Sequence, residues 1–192
     1  MNRGVAFVTG GTGFIGSHLV EELLRRGYRE VRCLVRKELR WLEGLDIVPV
    51  RGDFSRIDVL WEAVRDADVV LHVAGVTRAR DWATFEQGNI TATLNLLGTI
   101  LEANPNVRKV LITSSLAAVG YCPGGVATEE SPLRPISAYG RSKALMEQAL
   151  RAPRADGPSF AERLPIVIVR PPAVYGPREA DIYTFFRTVS RG

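Results

Sequence analysis

The chain has 192 residues, of which 46% are hydrophobic, and its formal net charge is +4 at neutral pH. This length gives room for a single domain, residues 1–192, and the composition is that of a globular protein rather than a disordered or membrane-spanning one. Acids and bases are interspersed, without a basic block containing aromatic residues, so nucleic acid is not an expected partner. No apolar run approaches the roughly 18–20 residues of a membrane span, so a membrane is not expected either. Cys33 and Cys122 lack metal-ligand spacing, which predicts no metal site and a reducing, cytoplasmic location.

The chain begins with the pattern of a strand, a glycine-rich loop and a helix. Residues 5–9 are an apolar run typical of a buried strand, and residues 17–26 have the period of an amphipathic helix. Glycines let the backbone approach a pyrophosphate, and a helix N-terminus presents free N–H groups. The spacing Gly10-x-x-Gly13-x-x-Gly16 differs from G-x-G-x-x-G, and the alternative is a turn that packs helix against strand. The predicted pyrophosphate site comprises Gly10, Thr12, Gly13, Phe14, Ile15 and Gly16.

Two cations, Arg36 and Lys37, follow a second strand predicted over residues 31–35. In dinucleotide sites an acid about 20 residues past the glycines binds the ribose 2′-hydroxyl of NAD. Cations at that place suit the 2′-phosphate of NADP, so NADP is the preferred cofactor and NAD the alternative. In that alternative the two cations are solvated and Glu38 binds the ribose.

A third strand, predicted over residues 47–50, ends just before Asp53. A carboxylate after a strand can accept a hydrogen bond from the adenine amine. It can equally cap the next helix, predicted over residues 57–64, although Ser55 is better placed as that cap.

A fourth strand is predicted over residues 69–73, and it is continuously apolar, as parallel strands are. Ala74 and Gly75 after it keep the strand exit narrow for a ligand. His72 lies within the strand, where a hydrogen-bonded structural histidine is favoured over a catalytic one.

A long helix is predicted over residues 82–103. It carries Asn89, which can bond a main-chain carbonyl of a neighbouring helix or reach Lys143 through water. Asn95, on the same helix, is a rival for that role.

A fifth strand, residues 107–113, is followed by Ser114 and Ser115. Ligands of open α/β sheets lie beyond the carboxyl ends of the strands, so a serine here can orient a substrate carbonyl or alcohol. The alternative is a serine that satisfies local backbone groups. No G-x-S-x-G surrounds either serine, so a serine nucleophile is not predicted.

Tyr139 and Lys143 open a further helix that continues to residue 150, with Ser137 as its predicted cap. Residues four apart share one helix face, and a cation near a phenol favours the phenolate, which makes a proton donor usable near neutral pH. Alone, this spacing also occurs on many solvated helices. A polar insertion at residues 152–159 precedes a sixth strand at residues 166–169. Strands alternating with helices predict an α/β, doubly wound parallel sheet, the Rossmann fold.

The chain resembles an extended short-chain dehydrogenase/reductase of the NAD-dependent epimerase/dehydratase family. The resemblance rests on residues 9–16, His72-Val73-Ala74-Gly75, Asn89, Thr113-Ser114-Ser115, Tyr139-x-x-x-Lys143 and residues 170–177. It implies that Tyr139 is the general acid/base, that Lys143 favours its phenolate and holds the nicotinamide ribose, that Ser115 polarises the substrate oxygen and that Asn89 supports the lysine. It also implies cofactor contacts from Asp53, Phe54, Val73, Ala74, Gly75, Pro171 and Val174.

The implied activity is hydride transfer to or from a carbonyl or alcohol carbon of a small molecule, with a homodimer as the expected assembly. Relatives usually continue past this point, so the chain is expected to be the N-terminal part of such an enzyme, stopping within a helix at residues 190–192. Nucleotide-sugar members often carry Asn where this chain has Ala173, which favours a hydrophobic substrate. The alternatives are a nucleotide-sugar epimerase or dehydratase, and a non-catalytic dinucleotide-binding scaffold or sensor.

Overall fold

The computed structural model describes residues 3–191, apart from the side chains of Arg3 and Asp181. The strands are β1 Arg3–Thr9, β2 Tyr28–Val35, β3 Val48–Arg51, β4 Val69–His72, β5 Lys109–Thr113 and β6 Ile166–Val169. They form one parallel sheet in the order β3-β2-β1-β4-β5-β6. Chain order reverses direction between β1 and β4, where Thr9 pairs with His72. Ligands of open α/β sheets bind outside the carboxyl ends of the strands at such a point.

Helices connect the strands. They are α1 Phe14–Arg25, α2 Ile57–Val64, α3 Trp82–Phe85, α4 Ala92–Ala103, α5 Ala138–Arg151, α6 Phe160–Arg163 and α7 Asp181–Val189. A π-helical segment, Glu86–Thr91, joins α3 to α4. The helix predicted over residues 82–103 is therefore interrupted by a wider turn, which the apolar period of the sequence does not reveal.

Hydrophobic clusters cover both faces of the sheet. On one face, α2, α4 and α5 contribute Leu60, Leu96 and Met146 to a cluster built on β1, β4 and β5. On the other face, Val20 of α1 packs in a second cluster with Cys33 of β2, and burial raises the pKa of that thiol to about 12. Helices on both faces of a parallel sheet confirm the doubly wound α/β fold and place Cys33 in the core.

Most predicted elements occur within a few residues of their expected bounds, and residues 57–64 and 166–169 coincide with α2 and β6. The prediction that Ser55 caps α2 is wrong, because Arg56 precedes that helix and no side-chain cap bond forms. The C-terminal helix ends at Val189, and Gly192 lies outside the described residues. Over residues 3–191, no helix has the length and apolar character that crossing a membrane requires.

Candidate active site

The glycine loop between β1 and α1 is closely packed against the end of β4. Gly10 has a φ of 76°, and a Cβ on it would lie 2.5 Å from the Ala74 nitrogen. A Cβ on Gly16 would lie 2.1 Å from the Gly10 oxygen, so neither position accepts a side chain. Helix α1 follows Gly13, which provides no side-chain cap. The loop backbone and the start of α1 therefore form the kind of surface on which helix N–H groups bind a pyrophosphate.

The residues predicted for the adenosine end lie at the ends of β2 and β3. Arg36 and Lys37 are exposed directly after β2, and the Arg51 guanidinium donates to the Lys37 main-chain oxygen. Asp53 accepts from both the nitrogen and the hydroxyl of Ser55, at 2.9 and 2.6 Å, and these bonds lower the pKa of its carboxyl. Ser55 thus orients Asp53 instead of capping the helix.

Phe54, in the loop after β3, contacts His72 of the central strand β4. Their rings meet edge to face at 5.4 Å between centroids. Asn95 donates to the Phe54 oxygen at 3.0 Å, so this asparagine supports the loop after β3 and does not act as the partner of Lys143.

His72 is buried between two threonines, whose bonding assigns its tautomer. Thr93 donates its hydroxyl proton to the main-chain oxygen of Asn89 at 2.7 Å, so its hydroxyl oxygen accepts from Nε2–H of His72 at 2.9 Å. Nδ1 then accepts from the Thr9 hydroxyl at 2.7 Å. Burial, with a smaller contribution from Lys143, lowers the pKa of His72 to about 3. The side chain is neutral at pH 7 and links β1, β4 and α4, which agrees with the prediction of a hydrogen-bonded structural histidine.

Asn89, in the π-helical segment, is fully hydrogen bonded. Its Oδ1 accepts from the Val76 nitrogen at 2.7 Å, and its Nδ2 donates to the Val76 oxygen at 2.9 Å and to the Ser142 hydroxyl at 2.8 Å. The main-chain partner lies in the loop after β4, not in a neighbouring helix as predicted. A Cβ on Gly75 would lie 3.1 Å from both Asn89 Oδ1 and Lys143 Nζ, so the three residues meet at one point.

Lys143 is buried, with 4% of its surface exposed, and its ammonium donates to the Thr113 oxygen at 2.8 Å. Burial lowers the pKa of Lys143 to about 8, although the nearby Glu147 carboxylate opposes this effect. An ammonium held at the carboxyl end of β5, beside Gly75, is placed to contact a ligand lying over the sheet edge.

Tyr139 and Ser115 lie on adjoining segments. Ser137 accepts from the Gly140 nitrogen at 3.0 Å and caps α5, as predicted, and Tyr139 is half-buried in the first turn. The Ser115 hydroxyl oxygen accepts from the Ala117 nitrogen at 3.1 Å and begins a short 3₁₀ turn. A Cβ on Gly140 would lie 2.3 Å from the Ala117 oxygen, so the start of α5 rests directly on this turn.

The segment after β6 crosses the site toward α1. The Pro171 oxygen accepts from the Leu116 nitrogen at 3.0 Å, which places it beside Ser115. Farther along, Arg178 donates to the Ser17 hydroxyl at 3.0 Å and to Glu21 at 2.6 Å. Val174, between these attachments, is exposed. The contact of this segment with α1 had no signal in the sequence.

A further ion pair, between the buried Glu147 and Arg170, lies one helical turn after Lys143 and was not predicted from the sequence. Glu147 accepts from the Arg170 Nε and Nη2 atoms at 2.9 and 2.7 Å and from the Ser114 hydroxyl at 2.6 Å. Burial acts to raise the pKa of Glu147, but these hydrogen bonds outweigh it, and the pKa lies below its usual value. Their positions were the only signal in the sequence. Ser114 and Arg170 each directly precede a predicted site residue, and Glu147 lies one helical turn after Lys143.

The arrangement suits an elongated dinucleotide. The described residues include no group of three or more His, Cys, Asp or Glu side chains able to hold a metal ion. The tightly packed glycine loop, the exposed residue Gly75 and the ammonium of Lys143 follow one another along the carboxyl ends of β1, β4 and β5. Their donors and small residues fit a cofactor with a central pyrophosphate.

Known proteins resemble the chain over nearly its full length, and residues 6–190 match the NAD dependent epimerase/dehydratase family. Ceramide reductase of Caulobacter vibrioides is 34% identical over 191 residues, covering 98% of the chain and 52% of that protein. The 3 beta-hydroxysteroid dehydrogenase type 7 of Homo sapiens is 32% identical over 201 residues, covering 95% of the chain and 53% of that protein.

A solved structure extends the comparison to the fold. UDP-glucuronic acid 4-epimerase from Bacillus cereus in complex with NAD has a TM-score of 0.78 and 26% identity, covering 97% of the chain and 62% of that protein. The chain spans about half the length of the curated relatives it matches. Because the match extends over nearly all of its residues, the chain belongs to the NAD dependent epimerase/dehydratase family of extended short-chain dehydrogenases/reductases.

Proposed function

We propose that this chain carries the cofactor site and the catalytic residues of an NADP(H)-dependent oxidoreductase. The reaction is hydride transfer to or from a carbonyl or alcohol carbon of a small hydrophobic molecule. The observation that carries the proposal is the buried Lys143 ammonium, one helical turn from half-buried Tyr139 and beside Gly75 at the carboxyl end of the sheet. A buried cation is unfavourable for folding, so its presence at this edge favours a role in the site.

In this proposal the chain's own residues bind, orient and move one proton. The glycine loop holds the pyrophosphate, and Lys143, held by its bond to the Thr113 oxygen, binds the nicotinamide ribose. Val73 and Ala74 line the exit of β4, while Pro171 and Val174 border the nicotinamide end. The bound nicotinamide supplies or accepts the hydride.

Proton transfer is assigned to Tyr139. Its phenol gives a proton to the substrate oxygen during reduction and takes one during oxidation, and the Lys143 ammonium stabilises the phenolate. Ser115 donates a hydrogen bond to the same substrate oxygen when its hydroxyl proton points toward the substrate. The Asn89 amide, fixed by Val76 and Ser142, keeps the wall beside the lysine in place.

The test of catalysis is a Tyr139→Phe variant. We expect it to bind NADPH as the unaltered protein does and to lose turnover, because only the phenolic proton donor has been removed. Unchanged turnover would refute the role of Tyr139. Absence of turnover in both proteins, with dinucleotide binding retained, would instead favour the scaffold or sensor.

The preference for NADP rests on the exposed Arg36 and Lys37 after β2. In a nicotinamide-fluorescence titration, an Arg36→Ser/Lys37→Ser variant should bind NADPH about 10- to 100-fold more weakly, the scale of one or two lost charged hydrogen bonds, and NADH equally well. Lys109→Ser, at an exposed lysine opening β5, is the matched control. Tighter binding of NADH by the unaltered chain would make NAD the cofactor and point to Glu38.

A nucleotide-sugar epimerase or dehydratase is the second candidate, favoured by the likeness to UDP-glucuronic acid 4-epimerase. Against it stands Ala173, where such members often carry Asn, together with the ceramide and steroid enzymes among the relatives. A competition experiment with UDP-sugars and an apolar ketone as substrates distinguishes the epimerase or dehydratase from the oxidoreductase. The expected homodimer and cytoplasmic location are tested by sedimentation velocity and cell fractionation.

A further inference from the structure

Glu147 is a fully buried carboxylate that collects donors from three parts of the fold. Its Oε1 accepts from the Ser114 hydroxyl at 2.6 Å and from Arg170 Nε at 2.9 Å. Its Oε2 accepts from Arg170 Nη2 at 2.7 Å, and Arg151 approaches the same atom from the exposed side at 3.4 Å. A bidentate guanidinium pair fixes orientation as well as distance.

The two main donors stand at functionally important ends of strands. Ser114 follows β5 and directly precedes Ser115, and Arg170 follows β6 and directly precedes Pro171. The strand ends are joined there, since the Ser114 nitrogen donates to the Val169 oxygen at 2.8 Å. One carboxylate therefore connects both ends to α5.

Helix α5 carries Lys143 one turn and Tyr139 two turns before Glu147. Lys143 makes its own bond to the strand end, from Nζ to the Thr113 oxygen. We propose that Glu147 is a positioning residue that sets Tyr139 and Lys143 on α5 in register with Ser115 and with the nicotinamide-bordering segment after β6. This inference rests on the proposed function for its ligand.

An ordinary stabilising role explains the cluster less well. Burying a charge pair is often no better for stability than apolar packing, whereas directional polar groups can enforce one geometry. Arg170 also donates to the Glu129 main-chain oxygen at 3.2 Å, which extends the same connection to the loop before α5. The cluster thus joins segments that adjoin the site.

The experiment compares two ligands of the chain, NADPH and 2′-phospho-ADP, which keeps the pyrophosphate but lacks the nicotinamide and the ribose that Lys143 is proposed to hold. For Glu147→Gln we expect the Kd of NADPH to rise about tenfold, the scale of one lost charged hydrogen bond, and the Kd of 2′-phospho-ADP to stay unchanged. Arg151→Ala, which removes a contact to the same carboxylate from the solvent side, should change neither. Equal weakening of both ligands by Glu147→Gln, or no weakening, would overturn the inference.

A second variant and a ligand-free measurement cover the remaining outcomes. Arg170→Lys keeps the charge but loses the two-point hydrogen bonding of the guanidinium to Glu147. It should therefore show the same selective loss of NADPH affinity if Glu147→Gln does not fold. Amide hydrogen exchange without ligand should quicken at Leu116, whose nitrogen donates to the Pro171 oxygen, but not in the β1–β2 pair. Unchanged exchange would refute positioning, while failure of the unaltered chain to bind either nicotinamide nucleotide would refute the proposed function alone.

Discussion

Replacing Lys143 with methionine should stabilise the fold while it abolishes function. Burial lowers the pKa of Lys143 from 10.5 to about 8, and at about 1.4 kcal/mol per pKa unit this corresponds to about 3 kcal/mol of folding free energy at pH 7. Loss of the bond to the Thr113 oxygen removes about 1–2 kcal/mol of that gain. The net gain of about 1–2 kcal/mol should raise Tm by about 2–4 °C per kcal/mol in a chain of this length.

The sign of the pH dependence makes this prediction specific. Below pH 8 the lysine is charged in both the folded and the unfolded chain, so the unfavourable burial is fully present. As pH rises from 8 to 10.5, the folded chain loses the proton first, and the unaltered protein gains stability. Urea unfolding should therefore show Lys143→Met more stable than the unaltered protein by about 1–2 kcal/mol at pH 7 and less stable by about 1–2 kcal/mol at pH 10.5, where only the lost bond to Thr113 remains.

The control is Lys109→Met, because Lys109 is exposed and its replacement removes no buried charge. If Lys143→Met were less stable than the unaltered protein at pH 7, or if the gap were equal at both pH values, the reasoning from burial would be wrong. If the Lys143→Met variant is more stable but binds NADPH more weakly, Lys143 contributes to ligand binding.

Two further predictions concern the cofactor loop and the buried histidine. Gly16→Ala should abolish NADPH binding and lower the unfolding free energy by about 2 kcal/mol or more, because its Cβ meets the Gly10 oxygen at 2.1 Å. The control Gly98→Ala, with open space around its Cβ in α4, should instead raise the unfolding free energy by about 0.5–1 kcal/mol. Equal effects of the two variants in fluorescence and urea titrations would contradict the packing. Since the pKa of His72 falls from 6.5 to about 3, the unfolded chain binds its proton first and stability should drop from pH 6.5 to pH 3 by about 4–5 kcal/mol from this group. His72→Gln should make the acid dependence of urea unfolding shallower, and an unchanged slope would refute burial as its cause.

Local patterns in the sequence were sufficient to predict the sheet and the loop. The apolar runs of the central strands and the glycines at 10, 13 and 16 have physical causes within a few residues, namely burial on both faces and close backbone approach. The cap at Ser137 is predictable for the same reason.

Features that depend on distant partners were not predictable. The π-helical turn contains Asn89, whose side chain bonds to Val76 and Ser142 in other elements, so its partners lie far from it in the sequence. The Ser55 prediction was wrong because Asp53, two residues earlier, attracts its hydroxyl. Likewise, the Glu147 pair with Arg170 joins residues 23 positions apart, and neither has a local pattern of its own.

The measurement that tests the central claim most directly is the proximity of the bound nicotinamide to Tyr139. In a deuterated chain with protonated tyrosine rings, we predict a nuclear Overhauser effect between the nicotinamide C4 proton and a tyrosine ring, lost in Tyr139→Phe. Five tyrosines are present, so the variant assigns the signal. A bound nicotinamide that shows no effect to Tyr139 would contradict the account.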